Sequence, residues 1–238
     1  MFCLCFILLL CSAVASTERD NTYNYFDFVR QWSPNSCYKA SHQCKELPQK
    51  INYWTIHGLW PSKDAHHYPA DCAGSSCHFN TSSIPDLLDE MHLRWPTDYT
   101  GGDTKFWGHE YCKHGTCCTD ILPDIHHYFK AALQLNERLD VDAALARAGI
   151  LPDVNKPYTF AQLDNAMKSS FGVDEATYWC RRIKDEQGSS MQLMFQISVC
   201  IDKDPASLQP RDCPPSERPS CNKGDPFYLL PFSVLRTD

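Results

Sequence analysis

The sequence predicts an α+β protein, and two observations carry that prediction. Aromatic-rich stretches of alternating polarity, which indicate strands, are mixed with amphipathic stretches, which indicate helices. The two kinds do not follow the regular order that a βαβ protein requires. The chain has 238 residues, of which 43% are hydrophobic and 21% charged, so its composition suits one folded domain with a sizeable core.

Four stretches predict strands. FDFVRQW (26–32) alternates and is rich in aromatic residues, and NYWTIHGLWP (52–61) is apolar and ends at Gly58 or Pro61. TYWCRR (177–182) and MQLMFQISVCID (191–202) follow later, separated by a turn at Gly188. The tail from Asp204 is rich in proline and cysteine and predicts irregular structure.

Five stretches predict helices. SSIPDLLDEM starts at Ser82 or Ser83 as N-cap and continues to about residue 94, where Pro96 stops it. Asp103 or Thr104 caps a helix through FWGHEYCKHG, which Gly115 ends. The other three helices are 124–139, 141–149 and 159–172, the last one capped by Thr159 and stopped by Gly172.

The first sixteen residues, MFCLCFILLLCSAVAS, predict a secretory signal peptide. The apolar run is too short to span a bilayer well, and Ala13 and Ala15 offer a small-residue cleavage site. We therefore expect residues 1–16 to be cleaved and 17–238 to form a single domain that does not associate with a membrane. Asn80-Thr81-Ser82 is a sequon, which predicts N-glycosylation of Asn80.

Cysteine usage agrees with a secreted protein. Three of the fourteen cysteines fall in the signal peptide, and the eleven that remain predict disulfides in an oxidising compartment. Because eleven is odd, one thiol is left over. Cys118 is the candidate, since it directly follows Cys117 and adjacent cysteines rarely both reach partners.

The net charge of −7 argues against a nucleic-acid binder that relies on bulk positive charge at neutral pH. Protonation of all ten histidines in an acidic compartment would bring it from −7 to +3. Binding of a polyanion is therefore expected to depend on pH.

The stretch FWGHEYCKHG holds the first candidate site. His109 and His114 are five residues apart, so they do not match the i,i+4 histidines of a zinc peptidase helix, and we expect no metal. Glu110 and His114 are i,i+4 on a helix, with Lys113 and His109 on the same arc. Two imidazoles suit acid–base catalysis, and a lysine suits a developing negative charge on phosphorus. The alternative is a charged surface helix.

A second candidate site is HGLWP. His57 lies near the end of an apolar strand, where a lone histidine is more often structural than functional. The flanking Trp54 and Trp60 are either core residues or platforms for base stacking.

Together, HGLWP and FWxHExxKHGTC resemble the ribonuclease T2 family in order and separation, and the resemblance extends over most of the mature chain. It implies a ribonuclease Rh-like fold, in which helices pack against a central antiparallel β-sheet stapled by disulfides. It also implies a secreted or lysosomal endoribonuclease of low base specificity. Such an enzyme cleaves single-stranded RNA through a 2′,3′-cyclic phosphate at acid pH, as a monomer without metal or cofactor.

The resemblance implies a role for each motif residue. His114 is the general base, His57 the general acid, and His109 holds the phosphate. Glu110 and Lys113 stabilise the phosphorane. Bases are expected to stack on aromatic side chains, with Trp60, Phe106 and Trp54 as the candidates. Ser62 follows HGLWP where some members carry a base-contacting aspartate, so base preference is not predicted.

The resemblance also suggests the disulfides, with the fifth pair obtained from the cysteines that remain. The expected pairs are Cys37–Cys44, Cys77–Cys117, Cys180–Cys221, Cys200–Cys213 and Cys72–Cys112. Two alternative functions stay open at this point: a binding or signalling protein that uses the family fold, and a zinc hydrolase.

Overall fold

The structure, a computed structural model, describes residues 22–40, 44, 51–64, 67–98, 100–185, 188–215 and 220–235. The predicted signal peptide, residues 1–16, lies outside these ranges. Helices pack against an antiparallel sheet that five disulfides reinforce, which confirms the α+β prediction. Among the described residues, no helix has the length and apolar character needed to cross a bilayer.

The sheet has the strand order β2-β1-β4-β3, and every pairing is antiparallel. Its strands are β1 (Tyr25–Gln31), β2 (Thr55–Ser62), β3 (Thr177–Lys184), β4 (Ser190–Asp202) and a short β5 (Pro210–Arg211) that pairs with β4. The four strands expected from the sequence are confirmed. β5 was not expected, because a two-residue strand beside proline carries no alternation.

Six helices surround the sheet in the described part of the chain: α1 (Ser33–Cys37), α2 (Leu88–Arg94), α3 (Asp103–Lys113), α4 (Ile125–Arg138), α5 (Val141–Arg147) and α6 (Phe160–Phe171). The caps of α6 are confirmed. Thr159 forms a capping box with Gln162, and Gly172 closes the helix with a left-handed φ of 71°.

Two predicted helix starts are wrong. A helix cannot run from Ser82 or Ser83 through Ile84, because proline disfavours helical backbone in the residue before it, and α2 begins only at Leu88, after a turn at 85–87. Residues 81–83 form a 3-10 turn instead. α3 starts after Gly102 without a side-chain cap, because the Asp103 carboxylate accepts the amide of Thr97 at 2.8 Å.

A β-bulge in β2 determines where His57 lies. In the β1–β2 register, Val29 pairs with Gly58 and Arg30 with Ile56, so His57 is the additional residue between two pairs. A bulge bends its strand and changes the direction of the side chain it carries. The irregularity therefore lies at a residue that the sequence marked as a catalytic candidate.

Buried aromatic side chains hold the catalytic strand against the helices. Trp95 donates its indole N–H to the carbonyl of His57 at 2.9 Å, and Trp107 donates to the carbonyl of Trp95 at 2.7 Å. Tyr128 on α4 donates to the carbonyl of Leu59 at 2.9 Å. These bonds satisfy polar atoms inside the core and fix β2 relative to α3 and α4.

Two predicted disulfides are wrong, and the other three are confirmed. The observed bonds are Cys37–Cys44, Cys72–Cys117, Cys77–Cys112, Cys180–Cys221 and Cys200–Cys213. The expected partners of Cys72 and Cys77 are exchanged.

The exchange follows from the path of the loop that carries these two cysteines. Asp71 donates its amide to the carbonyl of Lys113 and Ala73 donates to the hydroxyl of Thr116, so the loop enters beside the end of α3. It then runs back along the helix, so the earlier cysteine meets the later partner. Among the cysteines that the structure describes, Cys118 is the free one, and it is buried, as expected.

Candidate active site

The C-terminal part of β2 and the C-terminal half of α3 face each other across a cavity of about 370 Å³. All five predicted catalytic residues line it: His57, His109, Glu110, Lys113 and His114. Two elements that are fifty residues apart in the chain thus bring both histidine motifs to one cleft.

The end of α3 carries four of these residues. His114 is the residue that caps the helix, and its amide donates to the carbonyl of Glu110 at 3.0 Å. Gly115 follows, and a Cβ there would overlap the ring of Tyr111 and lie 3.2 Å from Tyr128. Glycine at this position therefore lets the helix end close to the core, which keeps the His114 ring at the cleft.

Trp60 lies between the two catalytic histidine candidates. Its indole stacks on the ring of His114, with centroids 5.2 Å apart and an interplanar angle of 27°, and meets the ring of His57 edge to face at 5.2 Å. The indole Nε1 donates to Oε2 of Glu110 at 2.7 Å. One aromatic side chain therefore sets the relative positions of two imidazoles and a carboxyl group.

Burial dominates the electrostatics of the site. It raises the pKa of Glu110 to about 7, and the Trp60 hydrogen bond and the Lys113 charge act in the opposite direction. Burial lowers the pKa of His57 to about 4, helped by His109 and Lys113.

Burial likewise lowers the pKa of His114 to about 2, helped by Lys113, His109 and His57. His57 and His114 are therefore neutral at neutral pH. A bound anion would raise the pKa of both.

The aromatic candidates have different outcomes. Phe106 is half-buried, and its ring lies 5.7 Å from that of His57 in a second depression lined also by Thr97 and Lys105. Trp60 lines the main cavity.

Trp54 is not a substrate-binding residue, and that prediction is wrong. Its side chain is 2% exposed and packs against Trp32 with centroids 5.7 Å apart. Trp54 directly precedes β2, and its side chain lies in the core. A residue that is close to the HGLWP motif in sequence therefore need not reach the catalytic cleft.

Several residues that line the main cavity were not predicted from the sequence, Asp27 and Tyr68 among them. Asp27 lines the main cavity, opposite Trp60 in the β1–β2 register, and its carboxyl accepts hydrogen bonds from Ser62 at 2.7 Å and Ser198 at 2.9 Å. Burial raises its pKa. The sequence did contain a signal for Asp27, because it is an acidic residue inside the aromatic-rich strand FDFVRQW. Tyr68, which lies at the rim of the cavity and is 54% exposed, carried no sequence signal that could have predicted it.

Two imidazoles, an ammonium group and a buried carboxyl around one open cleft are the features of an acid–base enzyme that acts on an anionic substrate. The family is specified by comparison with known proteins. The model described as "Ribonuclease T2 family" matches residues 23–213, and the chain belongs to this family.

Relatives with known names agree. The chain is 34% identical over 217 residues to "Extracellular ribonuclease LE" of Solanum lycopersicum, a match covering 90% of each chain. It is also 34% identical over 224 residues to "Ribonuclease T2" of Homo sapiens, covering 92% of this chain and 82% of the human protein.

Solved structures show the same fold. RNase NT in complex with 5′-AMP superposes with a TM-score of 0.73 at 27% identity, covering 89% of this chain and all of that one. Human RNase T2 superposes with a TM-score of 0.68 at 30% identity, covering 88% and 99%. With this family membership, the protein is an endoribonuclease.

Proposed function

We propose that the protein cleaves single-stranded RNA by metal-independent transphosphorylation through a 2′,3′-cyclic phosphate. The observation that supports this most directly is the arrangement of His57 and His114 on either side of Trp60, with Lys113 and His109 on the same cleft. Two imidazoles can supply the base and the acid that such a displacement needs, and no metal ligand set is required.

In the first step, His114 accepts the proton of the ribose 2′-hydroxyl. The 2′-oxygen then forms a bond to phosphorus while the bond between phosphorus and the 5′-oxygen breaks. His57 donates its proton to that departing oxygen. In the hydrolytic step the roles reverse: His57 takes a proton from water, which opens the cyclic phosphate, and His114 returns a proton to the 2′-oxygen.

The pKa values of the histidines suit these roles at acid pH. His114 has a low pKa and is neutral, as a general base must be. His57 must be protonated to act as the acid, and its pKa of about 4 places that requirement on the acid side. The phosphodiester raises the pKa of His57 when it binds, which extends the active range upward.

The remaining residues stabilise charge and hold bases. The Lys113 ammonium and the Glu110 carboxyl face the position of the phosphorane, and the exposed His109 contacts the phosphate. Trp60 and Phe106 provide aromatic surfaces for the bases on either side of the scissile bond.

The same proposal includes a secreted or endo-lysosomal location. The leader-like residues 1–16, five disulfides and an exposed Asn80 in a sequon all support it. An acidic lumen would also supply the pH at which His57 is protonated.

The test is cleavage of dinucleoside phosphates between pH 3.5 and 8, with and without EDTA. We expect cyclic-phosphate products, an acid optimum and no effect of EDTA. His57→Phe and His114→Phe should each lower kcat/KM by at least about 10²- to 10⁴-fold. The matched control is His127→Phe, because His127 is exposed on α4, pairs with Asp124 and does not line the cleft. Activity that EDTA abolishes, or that survives both catalytic substitutions, would refute the proposal.

A further inference from the structure

A chain of side-chain hydrogen bonds joins His57, the general acid candidate, to the buried carboxyl group of Asp98. Nδ1 of His57 contacts the side-chain nitrogen of Gln196, which also donates to Oε1 of Gln31 at 3.1 Å. The nitrogen of Gln31 donates to Oδ2 of Asp98, and Ser33 donates to Oδ1 of the same carboxyl at 2.7 Å.

The sheet register explains why these side chains meet. Gln31 and Gln196 are directly paired across β1 and β4, so their side chains lie next to each other on one face. The bulge in β2 brings His57 beside Gln196. Asp98 follows α2 and is 1% exposed, while Gln31 and Gln196 are 6% and 7% exposed. A buried polar chain of this kind is stable only when every member is paired.

The direction of the hydrogen bonds in this chain depends on the charge of its ends. When Asp98 is a carboxylate it only accepts, so Gln31 must present its N–H₂ to it and its oxygen to Gln196. Gln196 then presents its N–H₂ to His57. Nδ1 of His57 is held as an acceptor, and the ring carries its single proton on Nε2.

The imidazolium form of His57 requires the opposite direction. Its Nδ1–H needs an acceptor, which Gln196 supplies when its amide turns over by 180°. Gln31 must then turn as well, so that its nitrogen donates to Gln196 and its oxygen faces Asp98. That oxygen is satisfied only if Asp98 is a protonated acid and donates to it. The change takes up two protons from solvent, one at each end.

We propose that Asp98 is a positioning residue for the general acid, and that the amides of Gln31 and Gln196 couple its protonation to that of His57. This inference rests on the proposed function, because it assigns a consequence to the acid role of His57. It makes the acid optimum a property of two linked groups: a proton on Asp98 permits the arrangement in which His57 is the cation.

The surroundings of both ends are consistent with this coupling. Burial raises the pKa of Asp98 to about 6, against the hydrogen bonds from Ser33 and Gln31, so the group changes charge in mildly acid solution. The titratable and charged groups that share the two cavities with His57 come from several elements: Lys105, His109, Glu110, Lys113 and His114 from α3 and its end, Asp27 from β1, and Asp64 after β2. Charged groups close to Asp98 in the sequence are Arg94, Asp103, which accepts a hydrogen bond from the amide of Thr97, and His92, which pairs with Asp103.

Asp98→Asn tests the coupling through the pH profile of kcat/KM. An asparagine amide can donate to Gln31 at any pH, so the arrangement required by the imidazolium no longer needs a proton at position 98. We expect the alkaline limb of the profile to move up by roughly one pH unit. Removal of a negative charge alone would move the limb down. A limb that stays in place or moves down overturns the proposal.

Two further variants separate coupling from general effects. In a Gln31→Leu background the chain of hydrogen bonds between His57 and Asp98 is interrupted. Adding Asp98→Asn to that background should therefore move the alkaline limb of the pH profile no further. An equal displacement in both backgrounds would contradict a route through Gln31. Asp142→Asn is the matched control, because Asp142 is another carboxyl whose pKa is raised by burial. It accepts a hydrogen bond from the amide of Trp54 and is not part of the hydrogen-bond chain between His57 and Asp98. The alkaline limb of the kcat/KM profile of Asp142→Asn should stay in place. A displacement of that limb equal to the one in Asp98→Asn would overturn the proposal.

A measurement on the unmodified protein avoids any dependence on folding of the variants or on activity. In ¹⁵N NMR at neutral pH, Nδ1 of His57 should lack a proton and Nε2 should carry one. The side-chain amide signals of Gln31 and Gln196 should shift with the same midpoint as the His57 ring. A proton on Nδ1 at neutral pH refutes the relay. If the protein cleaves no RNA, the proposed function fails while this measurement still decides the relay.

Discussion

Gly58 is expected to be the residue of the HGLWP motif that least tolerates a larger side chain. A Cβ at this position would overlap Nε1 of Trp60 and Oε2 of Glu110, and would lie 2.8 Å from Cε2 of Trp60. Those two atoms are the donor and acceptor of the hydrogen bond that joins β2 to α3. Gly58→Ala would therefore insert a methyl group into the bond that organises the site.

The cost has two parts. Overpacking a tight site costs about 1–3 kcal/mol, and loss of a hydrogen bond to a carboxylate costs about 1.5–3 kcal/mol. We expect the free energy of unfolding at neutral pH to fall by about 3–5 kcal/mol, a large share of the 5–15 kcal/mol typical of a domain. Because the Trp60 ring would also leave its stack on His114, kcat/KM should fall by about 10²-fold at permissive temperature.

The control is Gly108→Ala on the facing helix. A Cβ there would lie 3.3 Å from the ring of Phe79, which is tight but not an overlap, and alanine gains up to about 1 kcal/mol in helix propensity. Its stability should change by no more than about 1 kcal/mol. Urea unfolding and dinucleotide cleavage measure both variants. If Gly58→Ala matches Gly108→Ala in both assays, the assigned role of the Trp60–Glu110 contact is wrong.

Three further predictions concern charge and the free thiol. Trp60→Phe keeps a ring beside His114 but removes the N–H that donates to Glu110. The pKa of Glu110, measured by carboxyl NMR, should therefore rise from about 7 by about 1–2 units, and an unchanged value would contradict the assigned contact. Inorganic phosphate should raise Tm more at pH 5 than at pH 8, because it binds the protonated forms of His57 and His114. Equal increases in Tm at the two pH values would argue against a phosphate site at these histidines. In thiol labelling, a chain lacking residues 1–16 should show no reactive thiol when native and one in guanidinium, because Cys118 is buried and burial raises its pKa. Labelling of Cys118 in the native protein would contradict its placement.

The motif residues could be predicted because short-range spacing and chemistry determine them. Glu110 and His114 share a helical face at i,i+4, and His57 is marked by its glycine and tryptophan neighbours. The main strands and the caps of α6 follow equally from local patterns. These features depend on a few adjacent residues, and tertiary packing did not alter them.

Features that depend on register or on the path of a loop could not be predicted. The bulge at His57 is visible only when β1 and β2 are paired, and the neighbouring positions of Gln31 and Gln196 need the β1–β4 register. The exchanged partners of Cys72 and Cys77 depend on the direction in which a loop passes α3. Sequence separation carries no information on either, because several pairings close loops of similar length.

Burial acts in opposite directions on the two kinds of titratable group in the site. His57 and His114 have pKa values lowered from 6.5, so the unfolded chain binds more protons and their contribution to stability is lost as pH falls below 6.5. Glu110 and Asp98 have pKa values raised to about 7 and about 6, so their contribution is present at low pH and is lost as pH rises through those values.

Burial therefore disfavours the charged form of these groups, whichever its sign. An anionic substrate reverses that preference for the histidines but not for Glu110. A phosphodiester beside His57 favours the imidazolium, and the same negative charge keeps Glu110 protonated to a higher pH. Binding thus recruits a proton to the general acid without creating a second buried anion next to the phosphate. The acid preference of the enzyme then follows from the substrate and the buried site together.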